Sequence, residues 1–190
     1  MTRSELQRLA DTTARRHGLS AAAFRALIDT ESSWNPRAYR HEPAFFARYI
    51  RGRVEWSRSP WGQNSRRSAA SYGLGQLMYT TAVQMGFPRN RPPEELYDPA
   101  LNLDLTARKW RSVLARAGGN PAEAYSLYNS GLPLDRAPAS TRDKHVPRFL
   151  ALLAARRGEP YGTTRLADPS NWLVGGLVAI GLYLAIRRFA

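Results

Sequence analysis

Phe24, Leu27, Ile28 and Glu31 fall at i, i+3, i+4 and i+7. On a helix this spacing sets a carboxylate at the end of an apolar stripe instead of on a charged face. Removal from water penalises the anion and raises a carboxyl pKa, as a general acid working near neutral pH requires. The same spacing also fits a glutamate that marks a helix edge and reaches back to water. Other chemistry is easier to exclude. The chain has no cysteine, so it has no thiol nucleophile, disulfide or cysteine-based metal site. His17, His41 and His145 lack metal-ligand spacing. There is no H-E-x-x-H helix and no G-x-x-x-x-G-K-S/T loop, and Gly73-Leu74-Gly75 is too little for a dinucleotide fingerprint. No metal and no cofactor are expected.

The elements that must hold Glu31 read as helices. Ser4 with Gln7 suggests a capping box, with Leu6, Leu9, Ala10 and Thr13 on one face and Gly18 as the stop. Ser20 caps a second helix, which Asn35-Pro36 ends. Further helices are expected at Ser71–Phe87, from Asp98-Pro99 to Gly118-Gly119, from Asn120-Pro121 to Gly131, and over about Thr141–Arg157. No strand-like alternation of useful length and no internal repeat stand out. Between Tyr39 and Ala70, turn residues and aromatics mix with Arg48, Arg51, Arg53, Arg58, Arg66 and Arg67. This stretch reads mostly as loop, with one short helix at Pro43–Arg51.

With 28 Lys+Arg against 15 Asp+Glu, the formal charge is +13. Such an excess favours polyanionic surroundings: nucleic acid, anionic lipid, or a wall polymer bearing carboxylates and phosphates. The Arg-rich stretch has three readings. It is a solvated loop; or Trp56 and Trp61 stack on sugars while arginines meet peptide carboxylates; or it contacts DNA or anionic lipid without sequence specificity. Near the far end, residues 172–186 form an uncharged run, WLVGGLVAIGLYLAI, followed by Arg187 and Arg188. Too short for a clear span and compatible with a core helix, it is nevertheless apolar all round and rich in glycine, with Trp172 at one end. It predicts a membrane helix and basic tail over 170–190, after a linker at 158–169.

A series of motifs then occurs in a familiar order. Glu31-Ser32-Ser33-Trp34-Asn35-Pro36-Arg37-Ala38 resembles the E-S-x-F/W-N-P-x-A signature of the soluble lytic transglycosylase (SLT) domain family. Ser71-Tyr72-Gly73-Leu74-Gly75-Gln76-Leu77-Met78 is similar to the family's S-x-G-L-x-Q-L/I-M, and Thr81-Ala82 and Gly86 match the stretch just after that motif. Asp98-Pro99 with Asn102-Leu103 resembles D-P-x-x-N-I/L. Gly118-Gly119-Asn120-Pro121 and Tyr128-Asn129-Ser130-Gly131 resemble G-G-N-P and A-Y-N-x-G, and Val146-Pro147-Arg148 the late V-P-x. The resemblance covers about residues 4–157. Tyr79, Leu127 and His145 depart from the family's usual proline, alanine and tyrosine. The gap from Glu31 to Gln76 marks 39–70 as an inserted Arg-rich region over or beside the cleft.

The resemblance implies a mainly α, lysozyme-like domain (transglycosylase or goose-lysozyme type) that cleaves the MurNAc–GlcNAc β-1,4 bond of peptidoglycan strands. It implies Glu31 as the catalytic acid and base, and a 1,6-anhydro-MurNAc product. Ser71, Gln76 and the backbone near Gly73 would hold sugars, and Met78 would form apolar wall. Tyr128 would place its hydroxyl near Glu31 or the substrate, and Asn129 would bind sugar or fix a turn. A goose-type muramidase or endolysin is the alternative, with Glu42 and Glu55 as candidates for positioning water, although both read better as partners of neighbouring arginines. The N-terminus shows no apolar signal-peptide core, yet a wall enzyme must reach the bacterial periplasm. This conflict leads to an expected place in a bacteriophage virion, membrane-anchored and among other virion proteins, opening the wall for genome delivery. A non-catalytic, basic, membrane-anchored virion structural or DNA-binding protein is the remaining alternative.

Overall fold

The computed structural model describes residues 1–156. Its helices and strands follow in the order α1 Arg3–Arg16, α2 Ala21–Ser32, β1 Tyr39–His41, α3 Pro43–Tyr49, α4 Val54–Ser57, α5 Ser65–Ser68, β2 Ala70–Tyr72, β3 Leu77–Met78, α6 Tyr79–Gln84, α7 Pro99–Arg116, α8 Pro121–Ser130 and α9 Val146–Ala155. A 3-10 turn, Pro93–Tyr97, leads into α7, and a π-helical turn, Ser140–His145, leads into α9.

The expected long helices form, with shifts at their ends. α1 is capped by Thr2 and Glu5, not Ser4 and Gln7: the Thr2 side chain accepts from Glu5 N at 3.3 Å and Thr2 N donates to Glu5 Oε2 at 2.7 Å. A charged acceptor makes the stronger closing bond, which a glutamine cannot match. α2 starts at Ser20 as expected but stops before Asn35-Pro36, because Ser33 and Trp34 turn to φ 51° and 69°. Trp34 thereby swings into the core, where it is buried. Asp98 and Asn120 cap α7 and α8, and Gly131 ends α8 with φ 76°.

Two expectations are corrected. Strands exist: β1, β2 and β3 form an antiparallel sheet in that order, with Arg40 opposite Ser71 and Ser71 opposite Met78. Two to three residues per strand are too few to write an alternation. The helix expected over Ser71–Phe87 is therefore confined to Tyr79–Gln84. Gly73 forces the turn between β2 and β3. It sits at φ 66°, and a Cβ there would come within 2.6 Å of Asn102 Nδ2 and of the Leu96 carbonyl oxygen.

Two apolar cores result. The larger lies among α1, α2, α7, α8 and α9 around Phe24, Ile28, Trp110, Tyr125 and Phe149. The smaller lies under the sheet and the inserted region around Ile50, Trp56, Tyr72, Tyr79 and Leu96. Trp56 packs against Tyr79 there, and the Arg67 guanidinium covers Trp61 at 3.7 Å. Both indoles are thus committed to the fold, not offered to sugars. Among the described residues no helix is long and apolar enough to cross a membrane. The expected linker and membrane helix lie outside the described residues.

Candidate active site

The two cores leave a cleft between them, of about 420 Å³, lined from both sides. Glu31 reaches it from the last turn of α2, where the apolar stripe that anchors the helix runs out. Part of its side chain meets the cleft, while protein atoms crowd the carboxyl. The Tyr125 hydroxyl donates to Glu31 Oε1 at 2.7 Å. Burial raises the carboxyl pKa above its ordinary value and outweighs the Tyr125 bond, the charges of Lys109 and Arg40, and the Asn129 amide, all of which favour the anion. Burial thus favours the protonated form of Glu31, while the partners that its anion needs are already in place.

The expected site residues divide into three groups. Ser71, Gln76, Met78 and Asn129 line the cleft with Glu31. Ser71 and Met78 face each other across the sheet. Gln76, at φ 46°, is held by its own Nε2 donating to the Gly73 carbonyl at 3.0 Å. Asn129 is oriented by the Thr141 hydroxyl, which donates to its Oδ1 at 2.8 Å. Gly73 is not part of the lining; its carbonyl serves Gln76 and its role is the turn. Tyr128 lines the cleft, but its hydroxyl donates to the Gly75 carbonyl at 2.6 Å, so the tyrosine bonded to Glu31 is Tyr125. One turn separates the two on α8, and the i, i+3 spacing was the available signal. Stacking on Phe149 at 4.7 Å, a contact across elements, selects Tyr125 for Glu31.

Two further residues escaped the sequence reading. Lys109 of α7 lines the cleft with its Nζ 3.7 Å from the Tyr128 ring centroid. Burial lowers its pKa to about 8 against the opposing pull of Glu31, and it remains a cation at pH 7. Its signal was faint: one of two lysines among 28 basic residues. Asn102, fully buried on the same helix, donates from Nδ2 to the Tyr72 and Leu96 carbonyls at 2.9 and 2.8 Å. Its Oδ1 accepts from Gly75 N at 2.8 Å and the Thr106 hydroxyl at 3.4 Å. All four hydrogen-bonding positions of the amide are used, and the loop carrying Gln76 hangs from it. Gly75 admits no side chain, because a Cβ would fall 2.0 Å from Thr106 Oγ1.

Of the two acids considered for water positioning, Glu42 lines the cleft and its Oε1 pairs with Arg40 Nε at 2.5 Å. Glu55 is exposed and stands outside the lining.

A helical domain that raises the pKa of one carboxyl at the edge of an open groove has the arrangement a general acid needs. The chain belongs to the transglycosylase SLT domain family, whose model matches residues 8–146. In fold it is similar to an inactive variant of the lytic transglycosylase Slt from Pseudomonas aeruginosa, with a TM-score of 0.52 and 20% sequence identity. That similarity covers 80% of this chain and 24% of the Slt chain, so this protein spans about a quarter of its relative. No curated protein matches the sequence.

Proposed function

We propose that this protein is a peptidoglycan lytic transglycosylase in which Glu31 performs both proton transfers. The observation that carries the reading is the Glu31 carboxyl at the cleft, its pKa raised by burial, bonded to Tyr125 and faced by Lys109. Glu31 gives its proton to the glycosidic oxygen as the bond from the MurNAc C1 breaks and the GlcNAc hydroxyl leaves. The resulting anion is stabilised by the Tyr125 hydroxyl and the Lys109 ammonium. Glu31 then takes the proton of the MurNAc C6 hydroxyl, whose oxygen bonds to C1 and closes the 1,6-anhydro ring. No water is consumed, and Glu31 ends as it began. Glycosidases ordinarily divide this work between two carboxylates; here the substrate's own hydroxyl is the nucleophile, favoured by proximity.

Purified sacculi digested with the full chain and analysed by mass spectrometry test this. Anhydro-muropeptides are expected from wild type and not from Glu31→Gln. Hydrated reducing ends on every product would support a second reading, goose-type hydrolysis, which the presence of Glu42 in the same cleft favours. Equal release by wild type and variant would remove Glu31 from the mechanism, and no release by wild type would leave the non-catalytic reading.

The placement is proposed from sequence alone: carriage in a bacteriophage particle with other virion proteins, membrane attachment through the apolar 172–186 run, and action at the bacterial wall during genome delivery. The support is that run, followed by Arg187 and Arg188, together with the +13 charge. Proteomics of purified particles tests it, and absence from the particle would overturn it.

A further inference from the structure

The inserted region carries an exposed turn between α3 and α4. Ile50 and Trp56 are buried in the smaller core and pin the chain on both sides of it. Between them Gly52 turns at φ 70°, Arg53 N donates to the Ile50 carbonyl at 3.0 Å, and Gly52 N donates to Gln63 Oε1 at 3.4 Å. Among the described residues the exposed large apolar side chains are Met1, Tyr39, Tyr49, Val54 and Leu132, and two of the five flank this turn. Tyr49 is 47% and Val54 66% exposed. A lone exposed apolar residue is ordinary; these two stand among arginines. Arg48, Arg51, Arg53 and Arg58 are all exposed, and none meets a carboxylate among the described residues. Arg48 and Arg51 instead lie 5.2 Å from the Tyr49 ring centroid and 5.6 Å from that of Phe46. Over 48–58, four arginines against Glu55 alone leave a net charge of +3.

We infer that the α3–α4 turn docks the protein on a membrane surface of anionic lipid. Tyr49 and Val54 sit at headgroup level, where an amphipathic ring and a small apolar side chain both leave water. The four arginines lay their stems along the same layer and meet lipid phosphates with their heads. Glu55 weakens this attraction without reversing its sign. Nucleic acid would satisfy the arginines through its phosphates but offer Val54 nothing. A stable protein interface takes about 20–30 residues a side, far more than the turn exposes. The inference is independent of the cleavage chemistry and of the 172–186 run. Phe45, which lines the cleft, packs on Tyr49 with ring centroids 4.8 Å apart. Docking therefore holds the cleft close to the bilayer, and the strands it meets first are those nearest the membrane.

The chain has no cysteine, so Val54→Cys puts a single environment-sensitive fluorophore on the turn of the full chain. Thr12→Cys puts one on the exposed side of α1. Each is mixed with vesicles of phosphatidylcholine, alone or in equal parts with phosphatidylglycerol, and read by emission shift and shielding from an aqueous quencher. The label at 54 is expected to be shielded on the anionic vesicles only, and the label at 12 on neither. Arg51→Glu with Arg53→Glu should weaken the response at 54 by at least about 30-fold, at about fivefold per arginine removed. Raised salt should weaken it too. Arg8→Glu with Arg111→Glu makes the same change of net charge at exposed sites elsewhere, and should leave most of the response. Both pairs should keep the wild-type circular dichroism, and the readout does not depend on cleavage, so failure of the transglycosylase reading would leave it intact. Equal shielding at 54 on both lipids, no shielding, or equal loss from the two charge pairs would overturn the docking turn. So would a stronger response at 54 to random-sequence duplex DNA than to anionic vesicles at matched phosphate.

Discussion

In the lobe built from α1, α2, α7 and α8, each of these helices begins at its own side-chain cap: Thr2, Ser20, Asp98 and Asn120. In the lobe built on the sheet, the helices α3 to α6 have at most seven residues, and none has a side-chain cap. So short a helix is marginal by itself. The second lobe is instead held by contacts between segments far apart in the chain. Arg89 Nη1 donates to the Glu55 carbonyl at 2.6 Å, Arg67 pairs with Glu94, and Asn102 grips the β2–β3 loop. The acid thus stands on the wall that local sequence specifies, and Gln76, which shares its cleft, on the wall that tertiary contacts specify.

Glu31→Gln probes the first wall and should have the largest effect, a loss of at least about 100-fold in anhydro product formation. Its fold should not suffer. The raised pKa means that the folded state keeps this proton longer than the unfolded chain, so wild-type stability falls as pH rises from 4.5 toward the folded value. The variant lacks that penalty and should melt at or above the wild-type temperature at pH 7, as calorimetry would show.

Asn102→Ala attacks the seam. It leaves Gly75 N and the Tyr72 and Leu96 carbonyls without their partner, at an expected cost of about 3–5 kcal/mol in denaturant unfolding. Activity and stability should fall together, unlike in Glu31→Gln. Tyr125→Phe should act on the acid and spare the second lobe. Its hydroxyl favours the Glu31 anion, so its removal raises the carboxyl pKa further. The fall of kcat/KM on the alkaline side of the Glu31 titration should then move to higher pH, with a rate loss of about tenfold. Arg67→Ala should do least. It removes a part-exposed ion pair and a cation over Trp61, worth about 1 kcal/mol together, and should show as greater proteolysis of the 43–68 region with near-normal cleavage.

The same contrast explains what could be read in advance. Caps and stops are local chemistry, so the Asp98-Pro99 and Asn120-Pro121 starts and the Gly131 end were legible. So was Glu31, through its stripe and the motif around it. The strands were not, because residues 39–41, 70–72 and 77–78 become strands only by pairing with one another. Tyr125 went unread for a related reason: spacing places it and Tyr128 on one side of α8, but Phe149 and the Gly75 carbonyl, which come from other elements, determine which hydroxyl bonds the acid.

Asn102, Lys109 and Arg116 stand seven residues apart on α7, and the last two line the cleft. The loop clamp, the charge beside the acid and the distal cation are therefore indexed to a single rigid rod, and neither wall needs a hinge to find the other. Inserting one alanine between Leu105 and Arg108 would leave the composition almost untouched. It would rotate the later positions by about 100° relative to the clamp, and the groove would lose its gauge at a stroke.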